Sequence, residues 1–440
     1  MKTVFLCGGV GKRMFPLLED KLLLKFLGKP LLEHQIERAR EAGLSRLVVV
    51  ANPQNMEKVG QISKGISGAE IELALQEKPL GIANALESSA HLLEKEVVVV
   101  NPNDVFEGSA YTRLIQERKK SSALSYLLGY EVKEHFPGGY LVVGKGNELK
   151  QIVEKPRRGE EPSSLVNILV HLHTDIRKLL ESAKGVQPTR DDVYECALDN
   201  MVREGGKIKV VPYDNFWAAI KYPWHIFPVV RHFLDRSKAE ISPSAHISSR
   251  ATIEGKVIIG DNVRVLENAV IRGPVYIGAN SIIGNNALVR EYSHIGADCV
   301  VGYSTEVKSS YISDGCWFHS SYIGDSIIAE GCSFGAGTVL ANFRFDEKNI
   351  PVKIGDEVID TGLDKLGAIV GSNSKTGINA SIMPGMRIGP NSFVGSHVCL
   401  TRDLGPNKMM LLEPHYRVVE REIEFDEEKK QELMRRLGKL

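Results

Sequence analysis

Hydrophobic and polar positions follow two different rhythms along this chain of 440 residues. Up to about residue 235, short β-rich apolar runs alternate with segments of helical spacing. Residues 3–6 are an apolar run ending in glycines, 31–42 carry helical spacing, and 46–51 are β-rich again. Residues 81–93 read as a helix and 96–100 as a buried strand. This alternation predicts a mostly parallel α/β sheet covered on both faces. Ligands of such sheets sit beyond the carboxyl ends of the strands, so chemistry is expected in the loops after Leu6 and Val100.

After Arg236 the rhythm changes to a period of six. Ile or Val stands at 241, 247, 253, 259, 265, 271, 277, 283, 289, 295, 301 and 307, twelve positions in succession. That period suits a parallel β-helix, where each short strand sends one branched side chain inward before the chain turns a corner. Three hexads close one coil of a triangular prism, so residues 18 apart stack at about 4.8 Å. The register slips near Ile312 and Ile323 and resumes at Val370, with 341–367 read as a loop inserted from one face. The expected organisation is a sheet domain over 1–235, a β-helix over 236–415 and a charged, helix-prone tail over 416–440. A purely structural rod or oligomerisation stalk would show the same repeats.

Composition narrows the function. Lys+Arg and Asp+Glu both number 55, so the net charge is zero, which argues against a nucleic-acid or membrane-surface partner. No apolar run is long enough for a membrane span. The opening MKTVFLCGG lacks a small-residue cleavage site and reads as a buried strand. Cys7, Cys196, Cys299, Cys316, Cys332 and Cys399 show no CxxC spacing, which fits free thiols in a reducing cytoplasm.

The first strand runs straight into CGGVGKRM. Gly8, Gly9 and Gly11 let backbone amides approach a phosphate chain, and Arg13 adds a planar cationic fork. Such a loop can also be an ordinary tight turn. Lys21 follows, placed to hold a transferring phosphate or simply solvated at the surface. The run GGVGKRMFPL…Lys21…KFLGKPLLEH resembles the signature of sugar-1-phosphate nucleotidyltransferases, which implies a Rossmann-like first domain. QEKPLGIANAL resembles that family's base-reading segment, implying roles for Gln76 and Gly81; VVVVNPNDVF resembles its magnesium strand, implying Asp104 as metal ligand. Gly139, Glu154, Lys155 and Asn167 match its sugar-binding positions. The resemblance implies attack of a sugar-1-phosphate on the α-phosphate of a nucleoside triphosphate, UTP or dTTP, with Mg2+, Arg13 and Lys21 neutralising charge. Four positions depart from the family: Lys12, Ile82, Asn103, and Ala219 in Trp217-Ala218-Ala219, where the family places a second metal carboxylate. Asp191 or Asp192 is a candidate replacement.

The β-helix carries its own polar set. Arg290 and Lys308 each follow an inward residue and lie 18 apart, so they are expected to stack as a two-cation rung that binds an anion, unless both splay into water. His319 lies about a coil further on; with Tyr322 it has the chemistry to take a proton from an amine attacking a thioester and to hold the oxyanion. LVREYSHIG, TEVKSSYI, FHSSYIGD and FGAGTVLANF resemble, in order, the acetyltransferase half of the bifunctional N-acetylglucosamine-1-phosphate uridyltransferases, and the long insert resembles the archaeal two-domain type. The resemblance implies a left-handed β-helix. It also implies phosphate binding by Arg290 and Lys308, His319 as general base with Tyr322, and Asn342 in the acceptor site. Acetyl-CoA would lie between neighbouring subunits of a homotrimer, with Ser372 and Arg402 as the nearest matches to its contacts. Two alternatives stay open: a nucleotidyltransferase with a structural or regulatory β-helix, and a non-catalytic regulatory homologue.

Overall fold

The computed structural model describes residues 1–9, 11–187, 192–420, 424 and 426–438. The strand Lys2–Cys7 is buried along its whole length and sits at the centre of a nine-stranded sheet. It pairs in parallel with Arg46–Ala51 on one side and Val97–Val100 on the other, and Glu70–Leu75 continues the parallel half. Four consecutive valines with no exposed face are what a strand covered by helices on both sides requires. Beyond Val97–Val100 the sheet turns antiparallel through Leu165–His173, which is flanked by Ser125–Glu131 and Gly139–Val143. The helix Leu31–Glu41 buries Leu32, Ile36 and Ala39, one stripe of a 3.6-residue repeat. The expected helix over 81–93 is split into Ile82–Ser88 and a short turn Ala90–Leu92. At the break the hydroxyls of Ser88 and Ser89 donate to the carbonyls of Asn84 and Ala85.

The second half is the expected prism, with the parallel stacking of a left-handed β-helix. Its first face starts at Glu240–Ile241, its second at His246–Ile247 and its third at Thr252–Glu254. Inward residues stack on their counterparts one coil away, as Ile271 does on Val289, and both are fully buried. Val307 stacks on Ile323 and Ile312 on Ile328, so these coils take 16 residues. The steps ending at Ile312, Ile323 and Ile328 are the shortened ones. The six-residue rhythm therefore resumes before the insert, at Phe334 and Leu340. The insert contains a hairpin, Pro351–Ile354 with Glu357–Asp360, and the coil then closes with Val370 on Ile328.

The three faces differ in what they turn outward. On the first, Tyr276, His294 and Tyr311 stack with ring centroids 4.9 Å apart. The first domain covers them: Tyr311 Oη donates to the Lys25 carbonyl at 3.0 Å, and the Leu27 amide donates to His294 Nε2 at 3.2 Å. Lys25 adds an ion pair to Asp314 at 2.7 Å. The second face turns out Ile282, Val300, Trp317, Phe393 and Met409 together with the polar His246, Arg264, Ser333 and Lys375, and Trp317 is 54% and Met409 56% exposed. The third turns out Leu288, Glu306, Tyr322 and Val339. In the tail, the helix Glu427–Leu437 buries none of its residues. No helix among the described residues is long and apolar enough to cross a membrane.

Candidate functional sites

The first site forms where the loops after Lys2–Cys7 and Val97–Val100 meet. Gln76 locks the glycine loop to the base-reading segment. Its Nε2 donates to the Gly81 carbonyl at 3.0 Å and to Asn84 Oδ1 at 2.9 Å, and its Oε1 occupies the space a Cβ on Gly8 would need. Gly81 opens the following helix at φ +92°, a conformation that L side chains rarely adopt. Gln76, Gly8 and Gly81 are thus brought together. Lys21 passes Gly11, with its Cε 3.2 Å from where a Cβ there would lie.

Asp104 is 7% exposed, and burial raises its pKa against the lowering influence of Lys221, of the Trp217 Nε1 donor at 3.2 Å, and of Lys21. Burial likewise lowers the pKa of Lys221, and Asp104 opposes it. Burial also lowers that of Lys21, with the charge of nearby Arg13 adding to the effect. Lys21 and Lys221, from separate segments, therefore act on one buried carboxylate, and Arg13 acts on both lysines. Sequence reasoning missed Lys221; its only signal was its place two residues beyond Ala219. Ala219 stands directly opposite Asp104 in the antiparallel pair of Trp217–Ala219 with Asp104–Phe106. Its methyl offers no ligand, and Lys221 provides the facing charge instead. Asp192 precedes the helix Val193–Arg203, whose first residues line a cavity beside Glu154. Asp191 lies outside the described residues.

The oxygen donors here suit magnesium only sparsely. Among the described residues no group of three or more His, Cys, Asp or Glu is arranged to hold a metal. Asp104 provides one carboxylate, and the buried Asn103 Oδ1 beside it has no hydrogen-bond partner. Magnesium is commonly held by one or two carboxylates plus substrate phosphates and water, so this donor set fits it once a triphosphate is present.

The sugar-side residues converge nearby. A Cβ on Gly139 would lie 2.9 Å from Glu154 Oε2 and 3.6 Å from Asn167 Cβ, and Glu154 pairs with Lys155 at 2.8 Å. Lys221 interacts with Glu154 as well as Asp104, joining the phosphate and sugar sides.

The second site lies along the third face of the prism. Arg290 and Lys308 stack as expected on adjacent coils. Each, however, has a carboxylate of its own: Arg290 with Glu306 at 3.0 Å and Lys308 with Asp325 at 3.1 Å. Asn342 Nδ2 donates to Asp325 Oδ2 at 2.5 Å and to Tyr322 Oη at 3.3 Å. Lys308, Asp325, Asn342 and Tyr322 thus form one network. The exposed His319 stands at the corner between the second and third faces, at the opposite border from Arg290 and Lys308. Ser372 and Arg402 are not brought together. Ser372 lines a cavity of about 1020 Å³ between the first domain and the prism, with Asp20, Lys25 and His294. Arg402 is exposed after the third-face strand Cys399–Leu400.

Comparison with known proteins agrees with both halves. Residues 2–214 match the nucleotidyl transferase family model, and 256–291 match that of the bacterial transferase hexapeptide (six repeats). A protein of Methanococcus maripaludis strain C7 named bifunctional protein GlmU is 38% identical, over 93% of this chain and 97% of its own. A bifunctional sugar-1-phosphate nucleotidylyltransferase/acetyltransferase of Sulfurisphaera tokodaii is 32% identical, over 92% of this chain and 98% of its own. Among solved structures, a UDP-glucose pyrophosphorylase complexed with UDP-glucose matches 54% of this chain and 99% of its own at 18% identity, with a TM-score of 0.47.

Proposed function

This chain belongs to the family of bifunctional sugar-1-phosphate nucleotidylyltransferase/acetyltransferases, and we propose that it carries out both reactions at the two sites described. In the first domain, an oxygen of a sugar-1-phosphate attacks the α-phosphorus of UTP or dTTP, and pyrophosphate leaves. The backbone of Gly8, Gly9 and Gly11 cradles the triphosphate. Arg13 and Lys21 neutralise charge on the phosphates, and Gln76 and Gly81 hold the base. Gly139, Glu154, Lys155 and Asn167 hold the sugar. Magnesium bound with the triphosphate to Asp104 supplies further charge neutralisation. Lys221 is a third cation, beside the one carboxylate that Ala219 leaves. Positioning and fixed charge provide most of the catalysis in such transfers.

In the second domain, His319 takes the proton from the amine of an amino-sugar-1-phosphate as that amine attacks the thioester carbonyl of acetyl-CoA. An amide forms and the CoA thiol leaves. Arg290 and Lys308 hold the acceptor's phosphate, which competes with Glu306 and Asp325 for them. Asn342 and Tyr322 orient the acceptor. The exposed apolar side chains of the second face support a homotrimer with acetyl-CoA between prisms, near Arg402; the position of Ser372 against the first domain argues against a donor contact there. We place the division between the two domains at about 235 and the start of the tail at about 416.

The observation that carries this reading is the pair Lys21 and Lys221 acting on buried Asp104, with Arg13 acting on both lysines and Glu154 on Lys221. Ala219 favours one alternative, a regulatory homologue with a degenerate first site. A matrix of nucleoside triphosphates against sugar-1-phosphates, with magnesium and with or without acetyl-CoA, separates them. Pyrophosphate release with uridine or thymidine triphosphate is expected, together with acetyl transfer to glucosamine-1-phosphate. Absence of both activities would leave the regulatory reading.

A further inference from the structure

Behind Asn167 runs a buried hydrogen-bond chain that the proposed reaction does not use. Asn167 Oδ1 lies 2.8 Å from His171 Nε2, and His171 Nδ1 lies 2.6 Å from Tyr194 Oη. The same hydroxyl is 2.8 Å from His173 Nε2, and His173 Nδ1 is 2.8 Å from Ser125 Oγ. Ser125, His171, His173 and Tyr194 are at most 1% exposed.

The backbone is bent to make this contact. Four residues of regular strand span about 13 Å, too far for Asn167 and His171 to touch. Between Ile168 and His171 the strand advances three residues while its partner advances one, from Leu128 to Leu127. That bulge brings the imidazole to the amide.

Each neutral imidazole has one donor and one acceptor nitrogen, and each hydroxyl donates once, so the chain has a direction. With Asn167 Oδ1 accepting, His171 must carry its proton on Nε2 and accept from Tyr194. Tyr194 then accepts from His173 Nε2, and Ser125 donates to His173 Nδ1. Burial lowers both histidine pKa values, that of His173 to about 3, which keeps both rings neutral.

We propose that Ser125, His173, Tyr194 and His171 are positioning residues that hold Asn167 with its amide nitrogen toward the sugar pocket. Resting on the sugar-binding reading above, this makes the site demand a group that accepts a hydrogen bond. Among the described residues no group accepts from Asn167 Nδ2. Beside it Glu154 accepts. A sugar hydroxyl satisfies both, donating to one and accepting from the other. An ammonium satisfies only Glu154. Tyr194 and Glu154 also line a common cavity of about 120 Å³.

The test is 15N NMR of histidine-labelled protein, combined with kinetics of the full chain. Both His171 and His173 are expected as the Nε2–H tautomer. Tyr194→Phe and Ser125→Ala should each raise KM for glucose-1-phosphate and N-acetylglucosamine-1-phosphate about tenfold, the scale of one lost hydrogen bond. KM for the nucleotide should stay put, and Ser125→Thr, which keeps the hydroxyl, should restore the wild-type value. An Nδ1–H tautomer at His171 in the wild type would overturn the proposal. So would variants with wild-type melting and unchanged sugar KM, or sugar and nucleotide KM rising together. A wild type that releases no pyrophosphate counts against the proposed function; the tautomers would still decide the direction of the chain.

Discussion

The two sites are built on opposite physical plans. Around Asp104 a buried carboxylate meets the half-buried Lys21 and Lys221, which come from distant segments, and the groups shift one another's protonation. Along the prism the cations are partly exposed, follow directly from the repeat, and each is held by a carboxylate within reach. The residues of the first site all come from loops and strands of the first domain. The second lies along one wall of the prism, with His319 exposed at one border and Arg290 and Lys308 at the other. On the proposed reading, the second face of a neighbouring copy covers it.

The sharpest way to break this contrast is a crossed pair of variants. Asp104→Ala should lower pyrophosphate release about a thousandfold or more, since it removes the proposed magnesium carboxylate, and leave acetyl transfer intact. His319→Ala should lower acetyl transfer by about two to four powers of ten, the usual worth of a general base, and spare pyrophosphate release. Equal loss of both activities in either variant would dissolve the distinction between the sites.

A milder perturbation tests the missing cover. Trp317→Glu places a charge at the exposed Trp317 position of the second face. Sedimentation should show a smaller species, and acetyl transfer should fall about tenfold or more, because one mis-seated charge at an interface costs several kcal/mol. Nucleotide-sugar formation should change little. An unchanged oligomer would remove the support this face gives to assembly.

The smallest expected effect concerns the seam between the halves. Burial lowers the His294 pKa to about 4, well below the ordinary histidine value of 6.5. The unfolded chain therefore binds the extra proton first. Stability from this group is complete above about pH 6.5 and is lost progressively as pH falls toward about 4, by at most about 1.4 kcal/mol for each step of one in pH. Melting followed at pH 7 and pH 5 should show the drop, and His294→Gln should reduce the difference between the two.

How much of this was legible in the sequence depends on whether the signal was local. The hexads were, because every coil repeats the same demand for a branched inward residue, and Arg290 above Lys308 followed from the coil length. The step ending at Ile328 was not, since one five-residue hexad among three looks like noise until the stacking partners are known. The structure brings together Gln76 and Gly81, which were named by motif. Lys221 was not, because its meaning comes from strand pairing that sets Ala219 opposite Asp104. The carboxylate partners Glu306 and Asp325 and the bulge beside Asn167 were equally invisible, since register is a property of two strands and not of one.

The stack of Tyr276, His294 and Tyr311 under the Lys25–Leu27 turn has a consequence for assembly. With that side of the prism roofed by its own chain, only the other two are left on which the proposed neighbouring copies can seat, so the first domain stays clear of any such contact.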